Sequence, residues 1–226
     1  MNKAAMFILD LFFPNRCPVC DDVIAFDALV CDSCKEKLKN CFTDENKVCN
    51  ICGKTACLTH DNLYYSRTLS CYYYDSYAKE GILSLKDGNK NFGYHIDDMM
   101  SEKILSDNIM KNADYITAVP MSKARLRERG YNQAQVIAKE ISAKTGIKLL
   151  CNVLFKNPSA VQHTLSYEER MKNVEAFYSS DDDLRGKRII ICDDVLTTGS
   201  TINKCAQLLI NIHAAEVYAA VGTTKK

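Results

Sequence analysis

Residues 189–201 read IIICDDVLTTGST, and each part of that run has a distinct chemical use. The unbroken apolar stretch from Ile189 to Cys192 suits a strand buried on both faces. Two carboxylates, Asp193 and Asp194, come where that strand emerges, and Thr197, Thr198, Gly199, Ser200 and Thr201 then lead into a helix. Successive backbone amides and a helix N-terminus converge on an anion there, and Gly199 lets the chain approach it closely. Adjacent acids beside an anion repel unless their partner is polyhydroxylated, so vicinal ribose hydroxyls are their natural target. Strand, acid pair and cradle together describe a ribose 5-phosphate site. The plainer alternative is a strand end with turn acids and a Ser/Thr cap, but the hydroxyl run exceeds what a cap requires.

Cysteine is the second chemical resource. Of 12 cysteines, those at positions 17, 20, 31, 34, 41, 49, 52 and 57 fall within the first quarter of the chain. Such clustering fits metal better than a disulfide scaffold. Cys17 with Cys20 and Cys31 with Cys34 are two CxxC pairs, whose turns together complete a closed tetrahedral site for structural Zn2+. Cys49, Cys52, Cys57 and His60 form a donor set for a second Zn2+. A redox CxxC, buried free thiols and ligands shared between the clusters are the competing readings. Cys41, Cys71, Cys151, Cys192 and Cys205 have no partner spacing and read as small buried hydrophobes.

Both features need a scaffold, and 226 residues allow one full domain plus a small one. Residues 1–60 lack long periodic segments, as expected of a zinc-binding module, a single or double ribbon, that cannot build its own core. From residue 69 onward short β-branched or aromatic runs alternate with helical stretches. Strands are expected at 71–74, 115–119, 153–155, 189–192 and 217–221, with helical stretches over 77–85, 96–110, 133–143 and 201–212. This alternation over 61–226 argues an α/β domain with a mostly parallel sheet and ligands at the carboxyl ends of its strands. Lys+Arg 29 against Asp+Glu 28 leaves a formal net charge of +1, which excludes a global cationic field and makes any nucleic-acid surface local. The longest apolar stretch, 4–13, is broken by Asp10, closed by Pro14, and falls far short of the ~20 residues that span a bilayer. No small-residue cleavage site follows it, so the expectation is a cytoplasmic chain with no membrane insertion.

Residues 189–201 resemble, position by position, the 5-phosphoribosyl 1-pyrophosphate (PRPP) signature of type I phosphoribosyltransferases. Val119-Pro120, the run RLRERGYNQ over 125–133, and Gln162, Arg170 and Asn173 ahead of Phe177 narrow the resemblance. With the cysteine pairs, nearly the whole chain is similar to the ComF/GntX family of phosphoribosyltransferase-like proteins, associated with DNA uptake in competence. The family's cysteine pattern usually closes with a fourth CxxC pair, where this chain has His60.

The resemblance implies a type I phosphoribosyltransferase fold, Rossmann-like, behind a small N-terminal zinc ribbon. It implies that Asp193 and Asp194 bind the ribose hydroxyls of PRPP and that residues 197–201 bind its 5-phosphate. Lys123, Arg125, Arg127 and Arg129 then fall where the pyrophosphate lies in this fold, with Mg2+ bridging its oxygens. Four cations against Glu128 give a local excess of +3, and guanidinium groups hold phosphate oxygens bidentately. The same run also reads as a solvated helix face or a nucleic-acid backbone contact. Lys86 is a further pyrophosphate candidate or a surface lysine after a helix. Cleavage at the anomeric carbon has oxocarbenium character in the family, so no general base or nucleophile is assigned. The polar segment 157–170 is a lid candidate carrying Gln162, His163 and Arg170, with Arg170 the better-placed functional residue. Asn132 and Gln133 read equally well as helix N-terminal residues.

Three functional classes follow: a PRPP-binding accessory factor of competence DNA uptake that meets single-stranded DNA and competence-machinery proteins, a nucleobase-salvage phosphoribosyltransferase, and a PRPP-sensing regulator. Segment 61–95 is rich in tyrosine but has no base-reading motif, and its Tyr72 and Tyr74 read as a packed strand face or a stacking platform. The family resemblance favours the first class.

Overall fold

The computed structural model describes residues 13–55, 57, 60, 62–156, 177–180 and 183–225. In chain order these form α1 (Asp32–Lys39), β1 (Arg67–Tyr73), α2 (Ser76–Lys86), α3 (Asn91–Ser106), a 3-10 turn (Met110–Asn112), β2 (Tyr115–Ala118), α4 (Lys123–Arg129) and α5 (Gln133–Thr145). There follow β3 (Lys148–Leu149), β4 (Leu154–Lys156), β5 (Phe177–Ser179), β6 (Arg188–Leu196), α6 (Ser200–Asn211) and β7 (Glu216–Thr224). Five strands make one parallel sheet in the order β1-β7-β6-β2-β3.

The apolar run of β6 has no polar alternation because both of its faces are covered. Ile190 and Cys192 enter a core with Ile82 of α2, Phe92 and Ile96 of α3, and Ile137 of α5. Ile189 and Ile191 point the other way, into a second core with Ile202, Cys205 and Leu209 of α6. Tyr72 of β1 is fully buried beside Phe92 and so belongs to a packed face, whereas Tyr74, just beyond the strand, is half-buried.

The helix expected over 96–110 begins earlier, at Asn91, whose N–H donates to the Asn89 side chain at 3.0 Å. It ends at Ser106, where Asp107 Oδ1 accepts the N–H groups of Ile109 and Met110 at 2.9 and 2.8 Å and turns the chain. The expected strand at 153–155 stands outside the parallel sheet, since β4 pairs antiparallel with β5. Its place at the sheet edge is taken by β3, two residues long and too short to carry a pattern. Cys41, Cys71, Cys192 and Cys205 are buried as expected, but Cys151 is exposed in the turn after β3.

The N-terminal segment packs onto the sheet domain. Val30, Leu38 and Cys41 belong to the same core as α2 and α3, so this segment shares the sheet domain's interior. Its backbone covers the outer edge of β1, with Thr43 N–H to Cys71 O at 3.1 Å, Tyr73 N–H to Cys41 O at 2.7 Å and Thr68 N–H to Asn50 O at 2.7 Å. An edge strand's unpaired groups are thereby satisfied. Among the described residues no helix is long and apolar enough to cross a membrane.

One buried acid has no counterpart in this scheme. Asp97 on α3 is fully buried, and neither of its oxygens has a hydrogen-bond partner among the described residues. Burial, opposed by Lys144 and aided by Glu140 and Asp98, raises its carboxyl from 3.8 to about 8. The folded chain therefore keeps a proton that the unfolded chain releases between those values. This contribution to stability is complete below the unfolded value and falls as pH rises toward the folded one, at up to about 1.4 kcal/mol per pH unit. Asp97→Asn is expected to flatten the slope in urea unfolding measured from about pH 5 to about pH 8; an unchanged slope would assign it to other groups.

Candidate functional site

The carboxyl ends of β2 and β6 lie side by side, while β3 flanks β2 and β7 flanks β6 on opposite sides. A switch point of this kind opens a crevice above the sheet. A cavity of about 200 Å³ lies there, lined among others by Lys86, Arg125, Arg129, Gln133, Lys156, Asp193, Asp194 and Thr201.

Asp193 and Asp194 sit within β6 rather than beyond it, because ladder pairing continues through Asp193 opposite Val221 to Leu196 opposite Thr224. The Asp194 N–H donates to Asp193 Oδ1 at 2.9 Å. Burial, and then the neighbouring Asp194 carboxylate, push Asp193 well above the usual carboxylate range. The fold brings a cation to the pair from afar: Lys86, at the end of α2, places Nζ 3.2 Å from Asp194 Oδ2. Two carboxyl groups side by side offer hydrogen-bond partners to the two hydroxyls of a vicinal diol.

The cradle follows directly. Gly199 is the N-cap of α6 with φ +80° and offers no side chain to cap it. The Ser200 N–H is taken by Thr198 Oγ1 at 3.3 Å, and the amides that follow are left for an anion. Thr197, Thr198 and Ser200 are exposed, with Thr198 Oγ1 2.9 Å from Ser200 Oγ, while Thr201 reaches the cavity wall.

The basic run divides. Ser122 caps α4 by accepting the Arg125 N–H at 3.4 Å. Residues four apart share a helix face, and Arg125 with Arg129 line the acid-pair cavity. Lys123 instead lines a neighbouring cleft of about 350 Å³ with Leu126, Leu150 and Phe155, and Arg127 is exposed outside both. Two of the four expected pyrophosphate cations thus stand elsewhere. Arg129 Nη1 donates to Gln133 Oε1 at 3.3 Å, and the Nε2 of Gln133, only 2% exposed, has no partner among the described residues. Asn132 is a structural cap: its Oδ1 accepts the Ala134 N–H at 3.1 Å and its Nδ2 donates to Val119 O at 2.9 Å. Lys156, at the end of β4, is a lining residue that sequence reading missed, since its segment reads only as a short core strand. Gln162, His163 and Arg170 lie outside the described residues.

Both cysteine clusters assemble. The donor atoms of Cys17, Cys20, Cys31 and Cys34 lie within 4.8 Å of one another, as do those of Cys49, Cys52, Cys57 and His60. The Cys20 and Cys31 sulfurs are 3.8 Å apart, close to the edge of a tetrahedron with Zn–S bonds of about 2.3 Å. His60 Nε2 stands 3.0 Å from Cys49 Sγ and 3.2 Å from Cys57 Sγ, so the imidazole completes the second set. Burial disfavours the Cys49 thiolate, but the N–H groups of Cys52 and Ile51 and the His60 ring outweigh it and bring the thiol down to about 6. Both donor sets fit structural zinc.

The family model described as Phosphoribosyl transferase domain matches residues 91–226, and the Double zinc ribbon domain matches residues 8–72. Among curated relatives, the DNA utilization protein YhgH of Escherichia coli strain K12 is 32% identical over 105 residues, 46% of this chain and 46% of that protein. The chain thus spans about half the length of that relative. Competence protein ComFC of Bacillus subtilis strain 168 is 24% identical over 206 residues, 81% of this chain and 79% of that protein. Among solved structures, glutamine PRPP amidotransferase from B. subtilis, complexed with ADP and GMP, aligns with TM-score 0.41 at 20% identity, covering 63% of this chain and 27% of that one.

Two assembled donor sets should hold about two zinc ions per chain in metal analysis of the purified protein. Because Val30 and Leu38 share the sheet domain's core, chelation is expected to lower the stability of the whole chain as well as unfold the ribbon. A value well under one zinc per chain would refute the assignment.

Proposed function

The chain belongs to the phosphoribosyl transferase domain family and carries a double zinc ribbon, and from that premise we propose that it is of the ComF kind and binds PRPP in the cavity between β2 and β6. One observation carries this reading: the acid pair, the open N-terminus of α6 and the cations Lys86, Arg125, Arg129 and Lys156 meet at a single crevice. Asp193 and Asp194 take the ribose hydroxyls, residues 197–201 take the 5-phosphate, and the cations take the pyrophosphate. Mg2+ neutralises pyrophosphate charge when bound with it. The chain's own part is to orient the sugar by the acid pair and to stabilise departing negative charge with guanidinium groups. No nucleophilic side chain is required.

We assign the protein a role as an accessory factor in natural-competence DNA uptake or processing, in the cytoplasm. The names of its relatives, a DNA utilization protein and a competence protein, support this. Lys123 and Arg127, left outside the acid-pair cavity by the turn of α4, supply cations for a single-stranded DNA backbone, and competence-machinery proteins are the natural partners. Incubation with PRPP, Mg2+ and a panel of bases, with pyrophosphate release measured, decides between binding alone and turnover.

PRPP with Mg2+ is expected to raise the melting temperature by several degrees at hundredfold excess over Kd, where mass action supplies about 2.7 kcal/mol. The double variant Asp193→Asn with Asp194→Asn should lose that rise while keeping its zinc. A rise that survives in the double variant would show that the acid pair is not the ribose site, and no rise in the wild type at millimolar PRPP would refute PRPP binding.

The two faces of α4 predict separable defects. Arg127→Ala should reduce the logarithmic salt slope of single-stranded DNA binding by about 0.7 and leave PRPP binding unchanged. Arg125→Ala with Arg129→Ala should weaken PRPP binding. Anisotropy titrations over a salt series check the first, and equal DNA slopes in Arg127→Ala and wild type would remove this face as the contact.

A further inference from the structure

The second metal knuckle and the anion cradle are built into one another. The first turn of the knuckle lies against the ends of three strands. Thr68 of β1 donates from its N–H to Asn50 O and from Oγ1 to Ile51 O, each at 2.7 Å. Thr224, at the end of β7, donates from Oγ1 to Gly53 O at 2.7 Å. Gly53 has φ +72°, and a Cβ on it would stand 2.7 Å from Thr68 Cγ2 and closer still to Leu196 Cδ2, on the last residue of β6. The next residue after Leu196 opens the cradle.

The chain leaving His60 closes the other side. Tyr65 is 3% exposed and donates from its hydroxyl to Cys52 O at 3.4 Å. The same hydroxyl is 2.9 Å from where a Cβ on Gly199 would stand, so it props the left-handed residue at the heart of the cradle. Asn203, in the first turn of α6, accepts the Tyr64 N–H at 2.8 Å and donates to Asn62 O at 2.9 Å. One turn further, Gln207 Nε2 donates to Tyr64 Oη at 3.1 Å. The knuckle thus touches the cradle at its start, its middle and the helix it feeds. The first donor set has different neighbours, namely Glu80, Leu83 and Ser84 of α2 and the following Asn89.

We propose that the Cys49, Cys52, Cys57 and His60 knuckle holds the anion cradle in its binding shape, with Tyr65 the positioning residue between Cys52 and Gly199, so that loss of metal from this knuckle disables anion binding at 197–201. A bound metal fixes four points of a segment with little apolar side chain of its own. Without it, the supports of Leu196, Gly199 and Asn203 loosen together, and the uncapped helix end loses its arrangement of amides. The ligand class, a phosphate monoester on a sugar, rests on the ribose-phosphate reading above; the coupling does not.

The test compares wild type, His60→Ala and Tyr65→Phe in zinc content, in hydrogen exchange of the 197–203 amides, and in affinity for PRPP with Mg2+. His60→Ala is expected to lose one zinc per chain, to exchange its 197–203 amides at least about tenfold faster, and to bind PRPP about tenfold more weakly or worse. Amides of α3 serve as the internal reference and should change little. Tyr65→Phe should keep both zinc ions and still bind PRPP about threefold to tenfold more weakly, the value of one hydroxyl-to-carbonyl bond. Should His60→Ala fail to fold, Tyr65→Phe alone decides. Unchanged exchange at 197–203 in both variants would overturn the coupling. Wild-type protein that fails to bind PRPP, with the exchange differences still present, would overturn the ligand and leave the coupling standing.

Discussion

Placing two carboxylates at the end of a strand buried on both faces is the constraint on which the rest of the site depends. Asp193 follows Cys192, which is fully buried, and a charge leaving water there is costly unless it is neutralised or paired. The structure uses both remedies. Asp193 is pushed toward its neutral form by burial and by its neighbour, and Asp194 is met by Lys86. Lys86 in turn depends on the run RLRERGYNQ, because the Tyr131 hydroxyl donates to the carbonyl of Leu85 and ties the turn after α4 to the last turn of α2. The acid pair, the lysine that meets it and the arginine-bearing helix are therefore one mechanical unit, although they come from distant parts of the sequence.

The N-terminal module solves a related problem. A stretch of this size buries too little apolar surface to fold alone, and two four-ligand clusters together with borrowed core replace the missing interior. The consequence is an edge strand, β1, whose outer hydrogen-bonding groups are met by the module's own backbone. Metal sites, sheet edge and the 197–201 loop then share boundaries, which explains why Gly53 and Gly199 are both left-handed glycines packed against side chains of the other segment.

Local chemistry was legible in the sequence and assembly was not. The acid pair, the hydroxyl run and both cysteine clusters announce themselves because each is contiguous or regularly spaced. The central strands β6 and β7 were readable because burial on both faces leaves an unbroken apolar run. What failed has physical reasons. β3 is two residues long and offers no periodicity. α3 begins with Asn91 and Gly93, which carry weak helix signals, and is started by a side chain two residues upstream. Cys151 follows no pairing rule, and its exposure comes from a turn. Lys156 belongs to no functional motif, and only the packing of β4 beside the crevice brings it to the site.

The division of the basic run follows from helix geometry alone. Four cations at every second position, 123, 125, 127 and 129, cannot share one face of an α-helix, since side chains two apart point to opposite sides. Spacing by two would suit a strand, where all four would align. On α4 it turns Arg125 and Arg129 toward the acid-pair cavity and leaves Lys123 and Arg127 outside it. One short helix therefore serves two environments. One pair, Arg125 and Arg129, lines the cavity beside the acid pair, where the attraction for an anion grows as water is excluded. The other pair stands toward solvent, where attraction acts through a screened field and fades with salt. Because these seven residues share one backbone, any ligand that reorients Arg125 and Arg129 also moves Lys123 and Arg127.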